Sequence, residues 1–123
     1  MHTSYNNSKQ FLAKYKEEVR DAIPNELPKE VNCFLDFVLE NLFDDSLSVA
    51  EALQRCNIKS KNFSSRFSLY AGATPKQFIL EHRTNAAQHL LLESRLTIAQ
   101  IRILTGFSSH SAFSKAFKNS TGG

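Results

Sequence analysis

The chain is short of the residues that interrupt helices, with four Gly and three Pro among 123 residues. Runs of β-branched residues are short as well, which argues against sheet and for an all-α chain. Trp is absent, and Phe supplies ten of the aromatics beside three Tyr, so a core rich in Phe and Leu is expected. No apolar run approaches the length that spans a bilayer, and Met1-His2-Thr3-Ser4-Tyr5-Asn6-Asn7 contains no secretory apolar region. A cytoplasmic setting with no membrane partner is expected. Two cysteines, Cys33 and Cys56, are too few for a disulfide framework or a zinc site, and both read as small core residues in helical patterns. Of four histidines, His82 and His89 stand seven apart on one side of a helix, a poor metal site without further ligands, and helix packing or surface is their reading. His2 falls in a start expected to be disordered. Also lacking are a Gly-rich phosphate loop, a metal-spaced His/Cys set, an inward-facing Glu pair and a His near either cysteine. No enzyme is expected, hence no catalytic residue, no metal and no cofactor.

What is present is an uneven charge. The formal net charge is only +3, yet residues 1–47 hold five Lys/Arg against nine Asp/Glu, a net of −4. Residues 48–123 hold ten Lys/Arg against Glu51, Glu81 and Glu93, a net of +7. A basic region of that kind is the electrostatic footprint of a polyanion binder, although solvated surface has the same composition.

Apolar positions recur at helical spacing. Phe11, Tyr15 and Val19 make one stripe between Ser8 and about Ala22, and Pro24 and Pro28 then break it. Val31, Phe34, Leu35, Val38, Leu39 and Leu42 make a second, closing near Asp44-Asp45-Ser46. From there the chain repeats itself. Leu47-Ser-Val-Ala-Glu-Ala52 matches Leu96-Thr-Ile-Ala-Gln-Ile101 at an offset of 49, and Phe63-Ser-Ser-Arg-Phe67 matches Phe113-Ser-Lys-Ala-Phe117 at an offset of 50. The slip of one residue falls where a turn belongs, so the pattern reads as two helix-turn-helix units. Ser48 and Thr97 are natural N-caps, with Glu51 and Gln100 at capping-box spacing. Asn57 and Gly106 suit a left-handed turn, and Ile58 and Phe107 follow as apolar plugs. The second helices are expected to begin near Ser60 and Ser109. Thr74-Pro75 starts a long connecting helix through Phe78, Ile79, His82, Ala86, Leu90 and Leu91.

On a helical wheel, Phe63, Phe67 and Tyr70 face inward in the first unit, while Lys61, Ser64, Ser65 and Ser68 face out. In the second, Phe113, Ala116 and Phe117 face in, while Ser111, Ser114, Lys115 and Lys118 face out and His110 flanks the leading end. Short hydroxyl side chains and Lys, with no acid, are what a helix entering a major groove needs. Double-stranded DNA is the partner expected.

These residues resemble the DNA-binding domain of the AraC/XylS family of transcription regulators, from about Phe34 to Gly123. The resemblance rests on Phe63-Ser-Ser-Arg-Phe67 with Gly72-Ala-Thr-Pro75, on Arg83 with Ala86-Ala87 and Leu90-Leu91, and on Ile98-Ala-Gln-Ile101 with Gly106-Phe107, Phe113, Phe117 and Thr121-Gly122. It implies seven helices, two helix-turn-helix units joined by a long central helix, and two recognition helices about one DNA turn, roughly 34 Å, apart. Carried over by position, it implies base reading by Lys61, Ser64 and Ser65, then by His110, Ser111, Ser114 and Lys115. It implies phosphate contacts from Ser60, Asn62, Thr97 and Lys118. Arg83 would be a structural residue of the connector. RNA polymerase or another regulator domain are further partners compatible with it.

Several positions depart from the family pattern. Leu53 and Arg102 stand where a small Ala is usual, and a buried guanidinium must snorkel out or find a partner. Lys59 replaces the Ser that usually caps the first recognition helix, with Ser60 as a substitute. Ser65 stands where Arg is common, so modest discrimination by the first unit is expected. The resemblance also implies a last short helix beyond Gly122-Gly123, where this sequence stops, so either the sequence is truncated there or that helix is missing. The expected division is an N-terminal helix and linker at 1–30, a first subdomain at 31–74, a connector at 75–93 and a second subdomain at 94–123. The reading implied is a sequence-specific DNA-binding regulator. Its alternative is a protein-interaction module that kept the fold and binds DNA weakly; Leu53, Arg102, Ser65 and the acidic N-terminal segment motivate it.

Overall fold

Helices supply all the regular structure that the computed structural model describes, which runs over residues 5–120, with side chains from 7 to 118. In chain order these are α1 (Tyr5–Asp21), α2 (Lys29–Glu40), α3 (Val49–Arg55), α4 (Phe63–Ala71), α5 (Pro75–Glu93), α6 (Ile98–Leu104) and α7 (His110–Ser120). The all-α, tandem helix-turn-helix expectation holds. Thr121, Gly122 and Gly123, and with them the expected missing last helix, lie outside the described residues, as does His2.

Local chemistry sets the helix ends. Ser48 Oγ accepts from the Glu51 N–H at 3.0 Å at the start of α3. Thr97 Oγ1 accepts from the Gln100 N–H at 3.1 Å, and Gln100 Oε1 accepts from the Thr97 N–H at 2.9 Å, a complete capping box. Thr74 and Gln77 form the same box ahead of Pro75 in α5. The turns behave as their residue types require: Asn57 has φ 55°, Gly106 φ 88°, and Gly72 closes α4 at φ 80°.

Two apolar clusters fill the molecule, one per unit. In the first, the rings of Phe34, Phe63, Phe67 and Phe78 pack at centroid distances of 5.0–5.4 Å, across α2, α4 and α5. In the second, Phe107 and Phe113 pack edge to face at 5.3 Å beneath Ala86, Ala87 and Leu90 of α5. Helix α1 touches both: Leu12 and Phe11 join the second cluster, Val19 the first, followed by Ile23 just past the helix end, and Tyr15 belongs to each. The Tyr15 hydroxyl bonds His82 Nδ1 of α5 at 2.8 Å, and Phe11 stacks on His89 at 4.0 Å. The two histidines that share a side of α5 are therefore the seat of α1.

Three local expectations are corrected. Cys33 and Cys56 are not core thiols: Cys33 is exposed, and a disulfide joins the two across a Cα–Cα distance of 5.9 Å. A count of two excludes a framework of bridges but not a single one. The packing of α2 on α3, with Arg55 over the Phe37 ring, brings these residues together. Tyr70, expected inward, is 37% exposed, and Leu91 equally so, because each sits at the edge of its apolar stripe near a helix end. Finally, α4 begins at Phe63 rather than near Ser60. Its N-cap is Asn62, no side chain caps it, and the Ser60 hydroxyl donates to Asn62 Oδ1 instead of replacing the missing cap.

Candidate nucleic-acid interface

The later start of α4 changes the setting of Lys61. It projects from the turn that leads into the helix, while Ser64 and Ser65 occupy the first helical turn. All three are exposed, as are Ser60 and Asn62. Phe63 and Phe67, buried at 3% and 0% exposure, anchor the opposite side of the helix and so fix which face looks outward. Leu53 packs half-buried against this cluster.

Arg66, between the two anchors, does not join the outward face. Its Nη1 donates to Glu30 Oε1 at 2.9 Å and ties α4 to the first turn of α2. The residue that does join is Lys76. A shallow depression is lined by Ser60, Lys61 and Ser64 together with Thr74 and Lys76, so the N-terminus of α5 adds a cation beside the recognition face. Lys76 lies on another helix, beyond the reach of the periodicity of α4. The only local sign is the Thr74-Pro75 helix start, which turns the chain back toward α4.

In the second unit, Ser109 Oγ accepts from the Ala112 N–H at 3.1 Å and caps α7 where expected. His110, Ser111, Ser114, Lys115 and Lys118 are all exposed, and Phe113 is buried at 5%. His110 and Ser114, one turn apart, are hydrogen-bonded through Nε2 and Oγ at 3.3 Å, so they present a joined polar surface. Thr97 is exposed, although its side chain already serves the capping box of α6. Arg102 finds the partner its position demands: its Nη1 donates to the Phe107 carbonyl at 2.9 Å across the turn.

Electrostatically the two faces match. Residues 57–80 and 94–123 contain no Asp or Glu, and each stretch supplies cations beside Ser hydroxyls. Each outward face is carried on a helix whose inner side is locked by Phe packing, with α5 in contact with both α4 and α7. The arrangement can bring two short cationic surfaces to a polyanion with little side-chain bulk between backbone and ligand. Among the described residues no group of three His, Cys, Asp or Glu is placed to hold a metal ion.

A family model described as a helix-turn-helix domain matches residues 52–123. The chain is 33% identical over 84 residues to the Probable transcriptional regulator LumQ of Photobacterium leiognathi, covering 68% of this chain and 34% of that protein. It is 33% identical over 82 residues to the Msm operon regulatory protein of Streptococcus mutans, covering 67% and 30%. It is 31% identical over 82 residues to the HTH-type transcriptional regulator ArgR of Pseudomonas aeruginosa, covering 67% and 25%. The chain thus spans about a third or less of the length of these relatives. No solved structure matches it.

Proposed function

Because this chain belongs to the AraC-type helix-turn-helix family, we propose that it is a DNA-binding transcription regulator whose two units read successive major-groove segments of one duplex. The reading divides the chain as a first unit at 31–74, a connector at 75–93 and a second unit at 94–123. The observation that carries it is the pair of matched outward faces, both acid-free and both mounted on Phe-anchored helices. In this reading Lys61, Ser64 and Ser65 meet base edges from α4, and His110, Ser111, Ser114 and Lys115 meet them from α7. Ser60, Asn62, Thr97 and Lys118 bond phosphates and set the register, and Lys76 joins them. The hydroxyls of Ser64 and Ser65 lack the bidentate fork of an Arg, so the first unit discriminates sequence modestly.

The relatives LumQ and ArgR carry the names of transcription regulators, which supports a non-enzymatic role, and a relative named as a histidine kinase is matched over only 6% of its length. No helix among the described residues is long and apolar enough to cross a membrane, in keeping with action on DNA in the cytoplasm. RNA polymerase or another regulator domain is the further partner that this role allows.

The test is a fluorescence-anisotropy titration of random-sequence and genomic duplexes at two salt concentrations. The expected result is tight binding to a subset that falls steeply with salt. Changing Lys61 and Lys115 to Ala is expected to cost about 1–3 kcal/mol for each lysine removed from a base edge. Weak binding that ignores sequence, with the double variant unchanged, would overturn the proposal.

A further inference from the structure

The seam between the two units holds a buried cation. Tyr15 and Phe43 belong to both clusters, and Arg83, only 8% exposed at the middle of α5, bonds the backbone on either side of Phe43. A buried charge of this kind is costly unless hydrogen bonds meet it. Arg83 Nε donates to the Leu42 carbonyl at 2.7 Å and Nη2 donates to the Asp44 carbonyl at 2.8 Å. Both acceptors are backbone atoms of the loop that closes the first unit's leading helix.

The other side of the same group meets the second unit. A Cβ at Gly106 would stand 2.9 Å from Arg83 Nε and 3.0 Å from the Phe43 carbonyl carbon. The turn between α6 and α7 is therefore seated directly on the guanidinium and on the loop it holds. One rigid, planar side chain on the connector touches the backbone of both units. Sliding or rotating one unit against the other has to break charge-assisted bonds to a buried cation or drive Gly106 into it.

Resting on the proposed function, we infer that Arg83 is a positioning residue that sets the phase between α4 and α7, and so determines which spacing of two half-sites the chain accepts on DNA. The half-sites themselves are read elsewhere, on the outward faces. Spacing is a property of the seam, because two helices entering one duplex must be offset by about one DNA turn of roughly 34 Å, and a small rotation at the seam is magnified at their tips.

The experiment uses the full chain and duplexes selected by it from a random pool. Anisotropy titrations compare the selected pair of half-sites, each half-site alone, and pairs with one or two base pairs inserted or removed. The wild-type chain is expected to favour one spacing by about tenfold. In Arg83→Met, which keeps the stem and loses the donors, binding to single half-sites is expected to stay within about twofold while the spacing preference collapses to the same range. A folded variant with an unchanged spacing profile overturns the inference, and so does a uniform loss on every duplex including the half-sites. If Arg83→Met does not melt cooperatively, Arg83→Lys, which keeps the charge without the fork, is read by the same criteria. Failure of both to fold overturns it too, since Arg83 would then be a folding residue only. A wild-type chain that selects no duplex at all fails the function itself; a selective wild type whose Arg83 variant keeps its spacing fails this inference alone.

Discussion

At the scale of single residues, the two described glycines with positive φ do different work. Gly72 closes α4 at φ +80° with nothing within 4 Å of where a Cβ would stand, whereas Gly106 has φ +88° and the Arg83 guanidinium at 2.9 Å. Gly72→Ala is expected to cost the backbone strain alone, about 1 kcal/mol. Gly106→Ala adds a clash with a buried, doubly bonded side chain and is expected to cost about 3 kcal/mol. Denaturant midpoints of the two variants check this, and equal losses would mean that the close approach carries no energy. Both glycines are legible in the sequence as turn residues. Their unequal cost is not, because it depends on Arg83, 23 residues before Gly106 in the chain and on another helix. The same distance effect conceals Lys76, while the outward positions of Lys61, Ser64, Ser65, Ser111, Ser114 and Lys115 are legible from helical periodicity, with His110 on the flank.

Among the elements, α2 and α3 are stapled by the Cys33–Cys56 disulfide, which closes a loop across a sequence separation of 23. Cross-linking a loop of that size restricts the unfolded chain and is expected to contribute about 3 kcal/mol. Chemical denaturation with and without a thiol reductant measures it, and the Cys56→Ser variant should match the reduced protein. An unchanged midpoint on reduction would show that the bridge adds nothing. The helices themselves were legible because apolar periodicity and caps are local signals. The start of α4 is not, since Ser60 offers a cap in place of the Ser that Lys59 replaces, and the folded chain passes over it. Ser60 bonds Asn62 instead, and the helix waits for Phe63 to reach the core.

Across the whole molecule, α1 joins α5 in reaching both clusters, and its seat is sensitive to protons. Burial pushes the His82 imidazole below its ordinary range, against a smaller opposing pull from Glu81, and its Nδ1 bonds the Tyr15 hydroxyl, whose own pKa burial raises. The folded state thus holds His82 neutral, and an unfolded chain takes up a proton near pH 6.5 that the folded one resists. This contribution to stability is complete above that pH and is lost as pH falls below it toward the depressed folded value. Melting temperature is expected to drop between about pH 7.5 and pH 5.5, and His82→Gln should shallow the drop. Equal slopes in the two proteins would remove His82 as the cause.

The sequence by itself determined the all-α class, the 49- and 50-residue repeat, the caps at Ser48 and Thr97, the left-handed turns at Asn57 and Gly106, and the outward cationic faces. Each of these is written in residues a few positions apart, within reach of one helical turn or one hydrogen bond. Only the tertiary structure decided that Cys33 meets Cys56, that Arg66 spends its charge on Glu30, that Lys76 stands beside Lys61, and that α1 seats on His82 and His89. It also put Arg83 against Leu42, Asp44 and Gly106. Those contacts join separate elements, and their geometry follows from how the two Phe-rich cores pack along α5, which no local pattern encodes.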